Sequence, residues 1–198
     1  MHSNENIILL LDKLTLVFGI ISIILIIFEK RLGWLFASVA SILSIILYSN
    51  AGIYLHPFLS LYYAIISLYG FILWKKHNGK ELPLREYSLK THLKIIFSTG
   101  FIAIAIALGL TYFSNANYPI VDSMVVCFSI VVNYMQVKKI VSNWLYWIIL
   151  DAMVVVLDLL INLKHLSMLM LCYTLLAIVG YIRYSMKFKK QNKNNELS

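Results

Sequence analysis

Seven long apolar runs constrain the fold of this chain more than any other feature. In chain order they are Ile7–Phe28, Leu32–Ser49, Leu55–Trp74, Leu93–Phe113, Pro119–Val137, Val141–Leu160 and Leu166–Tyr184. A helix needs about 20 mostly apolar residues to cross the hydrocarbon core of a bilayer. Only 13% of the residues are charged, whereas a soluble domain carries about 25%. We therefore predict an all-α polytopic membrane protein with seven transmembrane helices, in which residues 1–198 form a single transmembrane domain within a lipid bilayer.

The basic residues are distributed unequally between the two sides of the predicted membrane. If the seven spans alternate in direction, 15 of the 17 Lys and Arg fall on one side, and only Lys13 and Lys164 fall on the other. Cytoplasmic loops carry the excess of basic residues in membrane proteins. The asymmetry predicts an N-terminus outside and a C-terminus inside, with residues 185–198 as a cytoplasmic basic tail. Because these residues are few and scattered among apolar runs, we predict no nucleic-acid binding.

An internal repeat relates the first three apolar runs to the last three. Residues 11–74 and 121–184 align without a gap at an offset of 110 positions, with eleven identities in 64. The identities least expected in apolar sequence pair Asp12 with Asp122, Trp34 with Trp144, and Gly70 with Gly180. We predict two parallel three-helix repeats joined by one linking helix at 93–113, a 3+1+3 arrangement. Transporters built from such repeats bind substrate near the bilayer midplane, where the repeats meet.

The sixth run carries the most informative side chains. Trp144, Trp147, Asp151 and Asp158 follow one another at intervals of three, four and seven, which places them on one helix face. Polar side chains at membrane depth are costly and often functional, and indole rings beside a carboxylate suit a cationic aromatic ligand. Two alternatives stay open: Trp144 as an anchor at the headgroup level, and Asp151 as a hydrogen-bonding partner of a neighbouring helix.

Further polar candidates lie in the third and fifth runs. Ser129, Asn133 and Gln136 share one face of the fifth run, where Asn133 either contacts substrate or bonds a neighbouring helix. The remaining candidate contacts are Asp122, Ser60, Tyr63 and Ser67. Trp74, which precedes Lys75, is expected to be a membrane-edge anchor.

Enzyme signatures are missing from the sequence. There is no HExxH, GxSxG or glycine-rich phosphate loop. Cys127 and Cys172 both fall inside apolar runs, so we predict free cysteines, no metal site and no cofactor. A membrane-embedded enzyme or scaffold remains the alternative from a different class.

Several stretches together match the pattern of one transporter family. They are Ser67-Leu68-Tyr69-Gly70 followed by Trp74, Val121-Asp122, Ser129-Ile130-Val131, Lys138-Lys139-Ile140, Asn143-Trp144-Leu145-Tyr146-Trp147-Ile148 followed by Asp151, and Ala177-Ile178-Val179-Gly180-Tyr181. Over roughly residues 11–190 the chain resembles the PnuC-type vitamin transporters.

The resemblance implies a SWEET-like fold, a homotrimer in the bacterial inner (plasma) membrane, and facilitated diffusion of nicotinamide riboside. Phosphorylation in the cytoplasm would then trap this cationic aromatic vitamin. The implied substrate contacts are Asn143, Trp144, Trp147 and Asp151, with polar residues of the third and fifth runs opposite them.

The identity of the vitamin is less well defined by the resemblance, because relatives carry thiamine or riboflavin instead. Ser60, Asn133 and Asp158 depart from the family pattern at expected contact positions. An acidic face suits cationic nicotinamide riboside or thiamine better than neutral riboflavin, so nicotinamide riboside is the first expectation and thiamine the alternative.

Overall fold

Seven helices are present in the part of the chain that the computed structural model describes, which covers residues 2–50, 55–75, 81–113, 118–160 and 164–196. They are α1 (His2–Ile27), α2 (Leu32–Asn50), α3 (Leu55–Leu73), α4 (Leu89–Phe113), α5 (Pro119–Val137), α6 (Asn143–Leu160) and α7 (Lys164–Glu196). Four of them, α1, α4, α5 and α7, are long and apolar enough to cross a membrane, and the described apolar stretches of the other three are shorter. The prediction of an all-helical chain is confirmed, and every predicted run coincides with a helix.

Three helices extend by several residues beyond their predicted bounds into polar sequence, and α1 does so by beginning at His2 rather than Ile7. α4 begins at Leu89 rather than Leu93, because the Ser88 hydroxyl accepts a hydrogen bond from the Thr91 N–H (3.4 Å) and caps the first turn. α7 continues past Tyr184 to Glu196, so the residues predicted as a basic tail are helical over most of their length. Good helix formers without Gly or Pro allow this extension, which hydropathy alone does not reveal.

The chain forms two compact units, Met1–Leu82 and Pro83–Ser198. In the first unit, α2 packs between α1 and α3. Trp34, at the start of α2, is only 1% exposed and lies directly over Gly70 of α3, where a Cβ atom would fall 2.6 Å from the Trp34 ring. Trp74 is also buried and packs edge-on against Trp34, with ring centroids 5.3 Å apart. The expectation that Trp74 is a membrane-edge anchor is therefore wrong, since the ring fills a space inside this unit.

The second unit contains α4–α7 and repeats this packing. Trp144, at the start of α6, is 0% exposed and lies over Gly180 of α7, where a Cβ atom would fall 2.6 Å from the ring. Tyr184 packs edge-on against Trp144 at 5.3 Å, in the position that Trp74 has in the first unit. The same tryptophan–glycine–aromatic contact therefore recurs at the offset that relates the two sequence repeats.

The backbone turns that precede the two tryptophans also have the same geometry. Glu29 and Lys139, which the repeat alignment pairs, are the non-glycine residues with positive φ among the described residues, at 54° and 55°. Each ends its helix in a Schellman cap: Lys30 N–H bonds Leu25 O at 2.8 Å, and Ile140 N–H bonds Met135 O at 3.0 Å. Both caps turn the chain so that the next helix begins with its tryptophan facing inward.

A short segment before α4 is fastened to the rest of the second unit. Arg85 pairs with Ile140 as a parallel β-bridge, and the side chain of Gln191 on α7 bonds both the N–H and the C=O of Leu84 (3.2 and 3.0 Å). Glu86 accepts the backbone N–H of Ser142 at 2.9 Å and its hydroxyl at 2.6 Å. A carboxylate in this position satisfies one free amide group at the start of α6 and complements the helix dipole.

Candidate functional site

A group of polar side chains lies on α5 and α6, and a hydrogen bond between Gln136 and Trp147 joins the two helices there. Gln136 lies in the last turn of α5 and is 6% exposed, and Trp147 lies one turn into α6 and is half-buried. The indole Nε1–H of Trp147 donates a hydrogen bond to Oε1 of Gln136 at 2.9 Å. This bond fixes the position of a partly accessible aromatic ring relative to the polar stripe of α5.

Asp151 lies one turn further along the same face of α6 as Trp147. Its side chain is half-buried, and it lies near Tyr173 of α7. A carboxylate on a membrane-spanning helix must face protein or water. Trp147 and Asp151 therefore place an aromatic side chain and a carboxyl group one turn apart on the same face of α6, and an aromatic cation is attracted to the face of an indole ring.

The stripe on α5 continues away from Gln136 through Asn133 and Ser129. Ser129 is buried. The amide oxygen of Asn133 is buried and has no hydrogen-bond partner in the described part of the chain. An unpaired buried acceptor costs about 1–3 kcal/mol, which a ligand that donates a hydrogen bond, such as a ribose hydroxyl or a carboxamide, would recover.

Asn143 and Trp144, two other predicted contacts, are enclosed by the second unit itself. Both are 0% exposed, and the amide nitrogen of Asn143 bonds the backbone oxygen of Ile140. The indole N–H of Trp144 has no partner among the described residues, and its ring packs against Gly180. This burial excludes the alternative of a headgroup-level anchor for Trp144 and favours a packing role, while substrate contact by either residue remains a prediction.

The remaining predicted contacts are Asp122 and Asp158 in the second unit and three residues of the first unit. Asp122 is exposed in the first turn of α5, which puts it about 21 Å from Gln136 along the helix at a rise of about 1.5 Å per residue. The side chain of Asp158 lies outside the described part. In the first unit, Ser60 and Ser67 are buried, and Tyr63 is half-buried with its ring 5.8 Å from that of Tyr62.

The two units differ at the positions of this polar face. In the repeat alignment, the equivalents of Asn133, Gln136, Trp147 and Asp151 in the first unit are Ile23, Ile26, Ala37 and Ser41. The tryptophan–glycine packing is shared by both units, whereas the polar and aromatic face belongs to the second unit alone. Residues that the packing does not require are the better candidates for binding.

Sequence reasoning missed a second polar cluster at the start of α6. His92 lies 3.3 Å from Glu86 Oε1 and 3.0 Å from the Tyr146 hydroxyl, and its ring stacks on that of Tyr146. Glu86 and His92 are far from Tyr146 in the sequence, and no local motif connects them. Their mutual bonds fasten the segment before α4 to α6 and indicate a structural role.

Metal and disulfide chemistry are not supported by the described residues. Cys127 and Cys172 are free, and no group of three or more His, Cys, Asp or Glu side chains that could hold a metal is found in the described ranges.

The fold and the site define a multi-pass helical membrane protein that presents one acceptor-rich, partly aromatic face on its second unit. A family model described as "Nicotinamide mononucleotide transporter" matches residues 9–186. The chain belongs to that family of membrane transporters, which confirms the resemblance found in the sequence.

The chain is also similar to a solved structure, described as the vitamin B3 transporter PnuC. The two share 18% sequence identity with a TM-score of 0.73, over 91% of this chain and 82% of that chain. At this identity the likeness establishes a common fold. No curated protein matches the chain.

Proposed function

We propose that this protein takes up nicotinamide riboside across the bacterial inner membrane by facilitated diffusion, and that cytoplasmic phosphorylation traps the vitamin. The observation that carries the proposal is the face formed by Gln136, Trp147 and Asp151, in which an aromatic ring held by a hydrogen bond lies one turn from a carboxylate. The nicotinamide ring of the riboside is flat and positively charged. Stacking on an indole and attraction to the carboxylate both favour such a ring.

The charge of the site favours the riboside over its phosphorylated form. α5 and α6 contain no Lys or Arg, and the carboxyl group of Asp151 lies on the same face as the aromatic ring. A phosphate group placed here would lie near this carboxyl group, and neither helix offers it a basic side chain. The acceptor groups of Asn133 and Asp151 instead suit the hydroxyl and amide donors of the uncharged ribose and carboxamide.

The proposed architecture is a 3+1+3 arrangement of parallel repeats with a SWEET-like fold. It is supported by the Trp–Gly contacts and helix caps that recur at equivalent positions of the two sequence repeats. We propose the N-terminus outside and the C-terminus in the cytoplasm, from the distribution of the 15 basic residues counted above. A homotrimer, and action as a carrier without enzymatic chemistry, follow the family and are part of the same proposal.

Binding and uptake measurements with purified protein test this function. Calorimetry should rank nicotinamide riboside above thiamine, riboflavin and nicotinamide mononucleotide. Proteoliposomes without an ion gradient should equilibrate the riboside, and should accumulate it only when a riboside kinase and ATP are enclosed. Binding of thiamine alone would contradict the choice of substrate, a required ion gradient would contradict facilitated diffusion, and binding without any uptake would favour a different class of protein.

Replacing Asp151 with asparagine should weaken the binding of nicotinamide riboside about tenfold, because the neutral amide keeps the size of the side chain but loses the charge that attracts the cation. The affinity for neutral riboflavin should not fall. Asp12→Asn on α1 is the control, since it removes the charge of an exposed carboxylate. An unchanged affinity of Asp151→Asn for the riboside would show that this carboxylate does not act on the substrate.

A further inference from the structure

Gln136 contacts the half-buried ring of Trp147 in the candidate site. Trp147 is half-buried, so its ring has fewer neighbours to hold it than a core tryptophan has. The hydrogen bond of 2.9 Å from its Nε1 to Gln136 Oε1 joins α6 to α5. An indole has a single donor and no acceptor, so this bond requires the amide oxygen of Gln136 to point towards the ring and the amide nitrogen to point away.

Two buried tryptophans of the chain, Trp34 and Trp144, are held in a different way. The rings of Trp34 and Trp144 are enclosed and press against Gly70 and Gly180. Their indole N–H groups have no hydrogen-bond partner in the described ranges. Steric packing is therefore sufficient to fix a tryptophan in this fold. The ring of Trp147 is accessible instead of enclosed, and a hydrogen bond holds it.

The scaffold itself does not need this hydrogen bond. In the first unit, the equivalents of Gln136 and Trp147 are Ile26 and Ala37, and Ile26 is 4% exposed in the packed interior. The first unit therefore has an apolar pair at these positions, although its helix cap and its tryptophan packing are like those of the second unit. The second unit buries a polar amide there, which is costly unless it is paired.

We propose that Gln136 is a positioning residue that sets the orientation of the Trp147 ring for substrate recognition. This inference rests on the proposed function in taking Trp147 as a substrate contact. The bond limits rotation of the indole about its side-chain torsions, so that the ring is already oriented when the aromatic cation arrives. Orientation before binding lowers the entropy that binding must otherwise lose.

The test combines a structural signal with an affinity. The protein is labelled with 5-fluorotryptophan and purified as the full chain, so that ¹⁹F NMR reports the four tryptophans separately, with the Trp147 resonance assigned from Trp147→Phe. Gln136→Leu removes the acceptor, whereas Gln136→Glu keeps an acceptor oxygen at the same reach. Gln136→Leu should shift the Trp147 resonance alone and weaken nicotinamide riboside binding about three- to tenfold, the range of single hydrogen bonds between membrane helices.

The other arms of the experiment separate positioning from general packing. Gln136→Glu should keep the Trp147 resonance and most of the affinity, and Gln136→Leu should have little further effect in a Trp147→Phe background. A Trp147 resonance that does not move in Gln136→Leu, or one that moves without any loss of affinity, would overturn the proposal. The unaltered protein is measured before any variant is made. If it binds none of the vitamins, the proposed function is overturned, together with the role of Gln136 in recognition.

Discussion

Gly180→Ala should lower the thermal stability of the protein more than any other single methyl addition to a helix in the second unit. The added Cβ would lie 2.6 Å from two carbons of the Trp144 ring and 2.8 Å from a third. The buried ring cannot move aside without displacing Tyr184, which packs on its edge. Overpacking of this kind costs about 1–3 kcal/mol, which outweighs the gain of about 1 kcal/mol from replacing a helical glycine.

Gly100→Ala provides the matched control for this prediction. Gly100 lies within α4, and nothing approaches within 4 Å of a Cβ atom built there, so alanine should raise the stability through helix propensity alone. Thermal unfolding of the two variants in detergent, followed by size-exclusion chromatography, measures the difference. Equal midpoints for Gly180→Ala and Gly100→Ala would show that α6 and α7 do not depend on this close approach.

The helices were predictable from the sequence because a membrane-spanning helix is defined by a long apolar run, which is a local property. The polar first turn of α4 and the last turns of α7 were not predictable, since hydropathy does not distinguish a polar helix from a polar loop. The offset between the repeats, inferred from a few Asp, Trp and Gly identities, is also the offset between the caps at Glu29 and Lys139. Neither residue is a glycine, so the sequence offers no sign of these positive φ angles.

The candidate site was predictable only in part, because sequence periodicity shows which residues share a helix face but not which face of the neighbour covers them. Trp144 and Trp147 are three positions apart and were given the same role. The structure separates them: Gly180 on the next helix receives the ring of Trp144, whereas Trp147 remains half-buried beside Gln136. The glycine that makes the difference is distant in the sequence, and no local pattern connects it with Trp144.

Trp147→Ala should weaken the binding of nicotinamide riboside about ten- to a hundredfold, the largest loss expected from a single side chain of the candidate site. Stacking of a flat heterocycle on an aromatic side chain is worth about 1–3 kcal/mol, and a cationic ring adds an attraction to the face of the indole. Calorimetry with the riboside measures the loss, and thermal unfolding of each variant shows that it is folded.

Two control variants are needed to interpret the effect of Trp147→Ala. Ile149→Ala, on the exposed side of the same helix (60% exposed), should leave the affinity unchanged because its side chain faces away from the polar stripe. Trp144→Ala should instead lower the thermal midpoint, since it empties the space over Gly180. A loss of affinity in Trp147→Ala no greater than that in Ile149→Ala would remove Trp147 from the site. The substrate would then have to be bound by groups other than the only tryptophan that the second unit leaves partly open, and the preference for an aromatic cation would lose its main physical basis.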